Sequence, residues 1–245
     1  MRRIQAFISK YEYDIVDSTQ NEAIRLIQDG RACHGSVVFA KMQGAGRGKF
    51  GKSWIGNKGN LYLTMVVELD ATNNSQITLT QAPYVVALCV GDAIRLLLNN
   101  AEIQYKWVND VLIDRKKISG ILLEKVLDRF VLIGIGMNLK HQEEYVALNA
   151  TSLEELGLGG ILPGVLGESV LQRLQFRINK WIDYGFEFVR REWMSHAINL
   201  NQLVKVHVGG SVIEGVFTNI DEDGALMIST SCGQRKIYGA DIFEI

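Results

Sequence analysis

The alternation of apolar and polar positions divides the chain into two parts of different texture. A short mixed stretch at 11–17 reads as a strand. Thr19 and Glu22 then fit a capping box, Ala23, Ile24 and Ile27 supply a helical apolar face, and Gly30 stops the helix. Residues 36–40 read as a buried strand, and 60–69 alternate before turning fully apolar, which predicts a longer one. A polar turn is expected at 72–76. Over 77–98, Val85, Leu88, Cys89, Ile94, Leu97 and Leu98 follow helical periodicity, with Asp92 on the outer face. Pro83 belongs to the first turn of that helix or kinks it, and Asn99-Asn100 ends it. Strands follow closely at 103–107, 111–113, 118–124 and 130–139, with turns at Asn109-Asp110 and 114–117. Such short connections force antiparallel pairing, since a parallel crossover needs roughly a dozen residues. The expected fold class is α+β: a mixed or antiparallel sheet with helices on one face.

A loop of weak helical character at 140–162 leads into an amphipathic helix over 163–191, with Pro163 near its start. Beyond it every predicted element is a short strand: 203–208, 212–219, 225–229 and 235–238. Gly209-Gly210 and 221–224 are tight-turn signals between them. The expected division is a larger domain at 1–198 and a small β-barrel at 199–245.

Composition narrows the function classes. At 245 residues, 47% hydrophobic and 22% charged, the chain has an ordinary globular make-up. A formal net charge of −1 argues against broad nucleic-acid binding, which needs a basic surface. Cys33, Cys89 and Cys232 are far apart and form no C-x-x-C, and the four histidines have no ligand spacing, so neither a disulfide framework nor a metal site is expected. The N-terminus lacks a signal-peptide core, and the most apolar stretch, 84–98, is too short for a bilayer and is interrupted by Asp92 and Arg95. The expected location is the cytoplasm, away from membranes.

Against that nearly neutral background, residues 41–60 stand out. Six of these twenty residues are glycine (Gly44, Gly46, Gly48, Gly51, Gly56, Gly59), five are basic (Lys41, Arg47, Lys49, Lys52, Lys58) and none is acidic. Glycine lets backbone N–H groups approach a ligand closely, and N–H donors beside Arg and Lys suit an anion such as a phosphate. The alternative is a solvated linker. Its place between two strand-like runs favours a functional loop. It matches neither G-x-x-x-x-G-K-[ST] nor the dinucleotide spacing. Two further polar clusters, 106–110 and 117–120, sit at adjacent turns, and Gly134 and Gly136 interrupt a strand where a ligand or backbone can approach. Ser18 and Thr19 read first as helix caps, although a helix N-terminus also offers free N–H groups to a ligand.

Taken together, these segments resemble the biotin–protein ligases. The matching stretches run in the family's order: Asp17-Ser18-Thr19, then Q-G-A-G-R-G-K-F-G-K-S-W from Gln43 to Trp54, K-W-V-N-D from Lys106 to Asp110, K-I-S-G-I-L-L-E from Lys117 to Glu124, and G-I-G-M-N from Gly134 to Asn138. The resemblance covers nearly the whole chain. It implies the fold shared by class II aminoacyl-tRNA synthetases and biotin ligases, with an SH3-like C-terminal barrel. It also implies a two-step reaction: biotin and ATP give biotinyl-adenylate, whose acyl group passes to a lysine of a biotin carboxyl carrier protein of acetyl-CoA carboxylase or another biotin-dependent carboxylase.

In that frame Lys117 and Arg47 are catalytic. Ser18, Thr19, Gln20, Gln43, Lys117 and Gly120 bind biotin. Arg47, Gly48, Lys49, Trp54, Asn109, Asp110 and Asn138 bind ATP and the adenylate. Mg²⁺ accompanies the phosphates with few protein ligands, and no dedicated metal site is implied. The expected form is ligase-only, monomeric or homodimeric, without nucleic-acid binding. Three positions depart from the family pattern: Lys49 and Lys52 replace arginines, keeping charge but losing the bidentate fork, and Val108 stands where proline is usual. The rivals are a lipoate ligase or octanoyl transferase, and a non-catalytic binding module.

Overall fold

A computed structural model of the chain describes residues 1–69, 75–239 and 241–244. In order, the elements are β1 (Ser9–Val16), α1 (Thr19–Gln28), β2 (Ser36–Gln43), β3 (Gly46–Arg47), β4 (Ser53–Trp54), β5 (Leu61–Glu68), α2 (Ser75–Arg95), β6 (Ile103–Lys106), β7 (Asp110–Ile113), β8 (Lys116–Val126), β9 (Phe130–Met137), α3 (Glu144–Ala147), α4 (Pro163–Tyr184), α5 (Phe186–Met194), β10 (Leu203–Val208), β11 (Ser211–Ile220), β12 (Leu226–Thr230), β13 (Gly233–Ile237) and β14 (Asp241–Glu244). Seven strands form the main sheet in the order β1-β2-β5-β9-β8-β7-β6. Only β1 and β2 run parallel, across the α1 crossover, while the tight connections make the others antiparallel. The mixed α+β expectation is met.

Helices cover both faces of this sheet, which corrects the expected single helical layer. Alternation explains why. Leu61, Leu63, Met65 and Val67 of β5 join a large core with α2, α4 and α5. Val66 points the other way and packs with Ala23, Leu26 and Ile27 of α1 in a separate cluster. The capping assignment also changes: Ser18 is the N-cap, its side chain accepting from Gln20 N, which leaves the Thr19 side chain available for other contacts. Pro83 lies inside α2, eight residues beyond its start at Ser75. Of the turn expected at 72–76, residues 72–74 lie outside the described residues and the rest opens α2.

Two further expectations are corrected. The helix read as continuous over 163–191 breaks at Gly185, whose φ of +77° suits glycine and starts α5 in a new direction. Asp92, expected outside, faces α4 and accepts from Arg177 at 2.7 and 2.8 Å, while Arg177 also pairs with Glu192 of α5. Burial alone would lower the Arg177 pKa, but Glu192 and Asp92 outweigh it and hold the guanidinium charged.

The C-terminal strands form a five-stranded antiparallel sheet, β13-β12-β11-β10-β14, of which β14 escaped the sequence reading. Among the described residues no ladder joins β13 to β14 to close a barrel. The sheet docks on α2: Tyr84 Oη donates to Gly224 O at 2.7 Å and Gln81 Nε2 to Glu222 O at 2.7 Å. Val204, Phe217 and Ile228 belong to the same apolar core as α2 and α4. No helix of the described residues is long and apolar enough to cross a membrane.

Candidate active site

The face of the sheet opposite α2 and α4 carries a cavity of about 320 Å³. Its floor is made by missing side chains. On β9, Ile133, Ile135 and Met137 fill the core, so Gly134 and Gly136 alternate onto the cavity face. A Cβ at Gly136 would lie 2.5 Å from Trp54 Cε2, and one at Gly120 would lie 2.6 Å from Trp54 Cζ3. The indole therefore lies directly on backbone. Its Nε1 is buried without a hydrogen-bond partner among the described residues.

Lys117 reaches the same face through an irregularity. In a regular strand, residues three apart point to opposite sides. In β8, Val111 of β7 pairs with Ser119 but Leu112 pairs with Lys117, so Ile118 is an extra residue. The bulge puts Lys117 and Gly120 on one face and sends Ile118 into the core. Lys117 Nζ is 2.7 Å from Asp110 Oδ1 and 5.2 Å from the centroid of Trp54. A carboxylate on one side and a ring face on the other thus orient the ammonium.

The glycine-rich segment folds into a β3–β4 hairpin over this floor, with Gly46 paired to Trp54 and Arg47 to Ser53. Its base is tied down by Gly44 N donating to Val16 O and Ala45 N donating to Asp17 O, both at 2.8 Å. Arg47 at the rim donates from Nη1 to Asn21 Oδ1 at 2.8 Å and from Nη2 to Glu124 Oε1 at 3.0 Å.

At the other end of the cavity polar groups converge. Gln43 Oε1 accepts from Thr19 N at 2.8 Å and Thr19 Oγ1 at 3.2 Å, and Thr64 Oγ1 donates to Thr19 Oγ1 at 2.9 Å. The Gln20 side chain is buried against Gly134, and neither its Oε1 nor its Nε2 has a partner among the described residues. A buried amide without partners is costly, and a ligand with its own donor and acceptor would relieve that cost.

Every residue given a catalytic or binding role from the sequence lines this cavity: Ser18, Thr19, Gln20, Gln43, Arg47, Gly48, Lys49, Trp54, Asn109, Asp110, Lys117, Gly120 and Asn138. Two of them are committed to the scaffold. Asn109 Nδ2 donates to Ile121 O at 2.9 Å, and the buried Asn138 amide donates to Thr151 O at 3.0 Å. The wall formed by Tyr145, Leu148 and Ala150 was not foreseen. It belongs to the segment read as a loop, which docks through Lys117 N donating to Asn149 O at 3.0 Å and Thr151 N donating to Lys117 O at 2.8 Å. Burial pushes the Tyr145 phenol up to about 12, so this wall stays uncharged at neutral pH. No histidine or cysteine lines the cavity, and among the described residues no cluster of His, Cys, Asp or Glu could hold a metal. Asp110 is its lining carboxylate.

A floor of backbone, an oriented lysine, a basic hairpin and a polar end suit an elongated ligand with a phosphate near Lys117. The comparisons with known proteins agree with this arrangement. The pattern of the biotin/lipoate A/B protein ligase family matches residues 13–138, and that of the biotin protein ligase C-terminal domain matches 200–243. The biotin–[acetyl-CoA-carboxylase] ligase of Paracoccus denitrificans is 31% identical, covering 93% of this chain and 97% of that protein. The bifunctional ligase/repressor BirA of Bacillus subtilis is 28% identical, covering 94% of this chain and 72% of that protein. The biotin protein ligase from Aquifex aeolicus in complex with biotin and ATP superposes with a TM-score of 0.80 at 28% identity, covering 98% of both chains. On the sequence pattern and the fold alike, the chain belongs to the biotin/lipoate A/B protein ligase family.

Proposed function

We propose that this chain is an ATP-dependent biotin–protein ligase. In the first step a biotin carboxylate oxygen attacks the α-phosphorus of ATP. The bond to the β-phosphate oxygen breaks, and pyrophosphate leaves biotinyl-5′-AMP. In the second step a lysine amine attacks the acyl carbon, the C–N bond forms and AMP departs. Charge grows on the α-phosphate oxygens in the first step, and a fixed cation there lowers the barrier. Lys117 fills that role, oriented by Asp110 and Trp54, with Arg47 and Lys49 on the phosphate side. Mg²⁺ would take most of its ligands from the phosphates, with Asp110 the lining carboxylate nearest Lys117. Trp54 serves the nucleotide side, braced by Asn138, which ties the wall at Thr151, and by Asn109, which fixes the turn that presents Asp110.

The observation that carries the reading is that residues from all five motif segments meet at one cavity floored by Gly120, Gly134 and Gly136. The polar end formed by Ser18, Thr19, Gln20 and Gln43 favours biotin over lipoate. A ureido ring offers both donors and an acceptor, whereas a dithiolane would leave the Gln20 amide unpaired. The acceptor is a biotin carboxyl carrier protein of acetyl-CoA carboxylase or another biotin-dependent carboxylase, and the reaction is cytoplasmic. Residues 1–198 form the catalytic domain, and residues 199–245 form an SH3-like barrel. The matched C-terminal pattern and the five antiparallel strands support the barrel reading. The test is transfer of labelled biotin to a carrier domain with ATP and Mg²⁺, with lipoate in parallel. Biotin transfer with AMP release is expected. Lipoate transfer would overturn the ligand, and biotin binding without turnover would overturn the reaction.

A further inference from the structure

The mechanism uses Arg47 but leaves unexplained what holds it. Its guanidinium bridges two elements on either side of the hairpin: Asn21 in the first turn of α1 and Glu124 on β8. Glu124 lies two residues beyond Leu122 and four beyond Gly120, on the cavity face of the strand. Its side chain is only 29% exposed. Oε1 accepts from Arg47, and Oε2 is buried with no hydrogen-bond partner among the described residues. A half-satisfied carboxylate so placed is a poor device for stability alone. Asn21 is itself fixed, its Nδ2 donating to Asp17 Oδ2 at 2.8 Å, and Asp17 is paired with Arg25 at 2.6 Å. The relay from α1 thus ends on the hairpin.

We propose that Glu124 and Asn21 are positioning residues that grip Arg47 and hold the glycine-rich hairpin closed over the cavity. Neither lines the cavity. They act through Arg47, whose planar fork meets one acceptor on each side. Lifting the hairpin breaks both bonds at once. Because Arg47 is paired across the strand ladder with Ser53, next to Trp54, the grip also seats the indole on Gly120 and Gly136. The consequence for catalysis rests on the function proposed above: a hairpin that opens too readily releases the acyl-adenylate before the acceptor lysine arrives.

The test compares Glu124→Ala and the isosteric Glu124→Gln with the parent in two assays. The first is the rate of trypsin cleavage at Lys49 and Lys52 in the ligand-free protein, and it depends on no assumption about the reaction. The second is the dissociation rate of biotinyl-adenylate formed in place from biotin and ATP, with biotin affinity measured separately. Losing a charge-assisted bond should raise both rates by about tenfold in Glu124→Ala. Glu124→Gln should give an intermediate value, with biotin affinity changed less than about twofold. Adding Glu124→Ala to Arg47→Met should bring little further change in the cleavage rate, because Arg47→Met already removes both contacts. Parent-like cleavage in both Glu124 variants, or additive effects in the double variant, would overturn the proposal. Should the parent form no adenylate, the proposed reaction fails while the cleavage assay still decides the grip.

Discussion

The two faces of the central sheet share strands and differ in almost everything else. On β5 and β9, Leu61, Leu63, Met65, Ile133, Ile135 and Met137 point into the core beneath α2 and α4. Their immediate neighbours Thr64, Gly134 and Gly136 point the other way and carry a hydroxyl or no side chain at all. One face is packed along its length, and the other, packed beneath α1 at Val66 and Leu132, is emptied at Gly134 and Gly136 to admit a ligand and an indole. Stability and chemistry are therefore separable at single-residue resolution along one strand, and substitutions at adjacent positions should have unlike consequences.

The largest effect is expected at Lys117. Lys117→Ala should slow adenylate formation by about 10²–10³-fold, the range for losing one preorganised charge-stabilising group. Biotin affinity should change little, as single-turnover kinetics and calorimetry would read. Equal losses in both would remove its transition-state role. Next, Gly136→Val drives a side chain into Trp54 and should cost about 100-fold in adenylate formation, since a misplacement near 1 Å can cost that much. Ile133→Ala, on the core face, should reverse the pattern. A cavity in the core costs about 2–5 kcal/mol, seen as a lower melting temperature, with KM for both substrates unchanged. An effect of Ile133→Ala on KM would show that the faces are coupled.

The smallest effect concerns pH. The Arg177 guanidinium holds the Glu192 carboxyl below its ordinary value of 4.5 in the folded chain. The unfolded chain therefore binds that proton more readily. The stabilisation is present above about pH 4.5 and is lost as pH falls through the depressed folded value. Glu192→Gln should flatten the acid limb of a stability–pH curve without moving the pH profile of adenylate formation.

Most elements were legible because the hydrophobic pattern and the turn residues agree locally. The antiparallel strands from 103 to 137 follow from connections too short for crossovers, and the glycine-rich loop announced itself by composition, although its β3–β4 hairpin did not. What was not legible lies in three-dimensional context. α1 has a clear apolar face in Ala23, Leu26 and Ile27, and nothing within its own residues says which side of the sheet it covers. Gly185 ends a helix whose apolar periodicity continues past it, so the pattern alone runs on to 191. The wall around Tyr145 depends on a loop pinned to Lys117 by backbone groups, which any residues could supply. Glu124 closes a recognised segment, yet its partner Arg47 is 77 residues away, beyond the reach of any local pattern. The residues of the site were readable as an inventory. Which of them contact a ligand and which brace the scaffold, as Asn109 and Asn138 do, required the fold.

The extra residue at Ile118 has a consequence for anyone transplanting this chemistry. Copying Lys117 and Gly120 onto a regular strand of another protein would aim them at opposite sides, one at the ligand and one at the core. The portable unit is the offset itself, a strand one residue longer than its partner. A single-residue deletion there would invert the site while leaving its composition nearly intact.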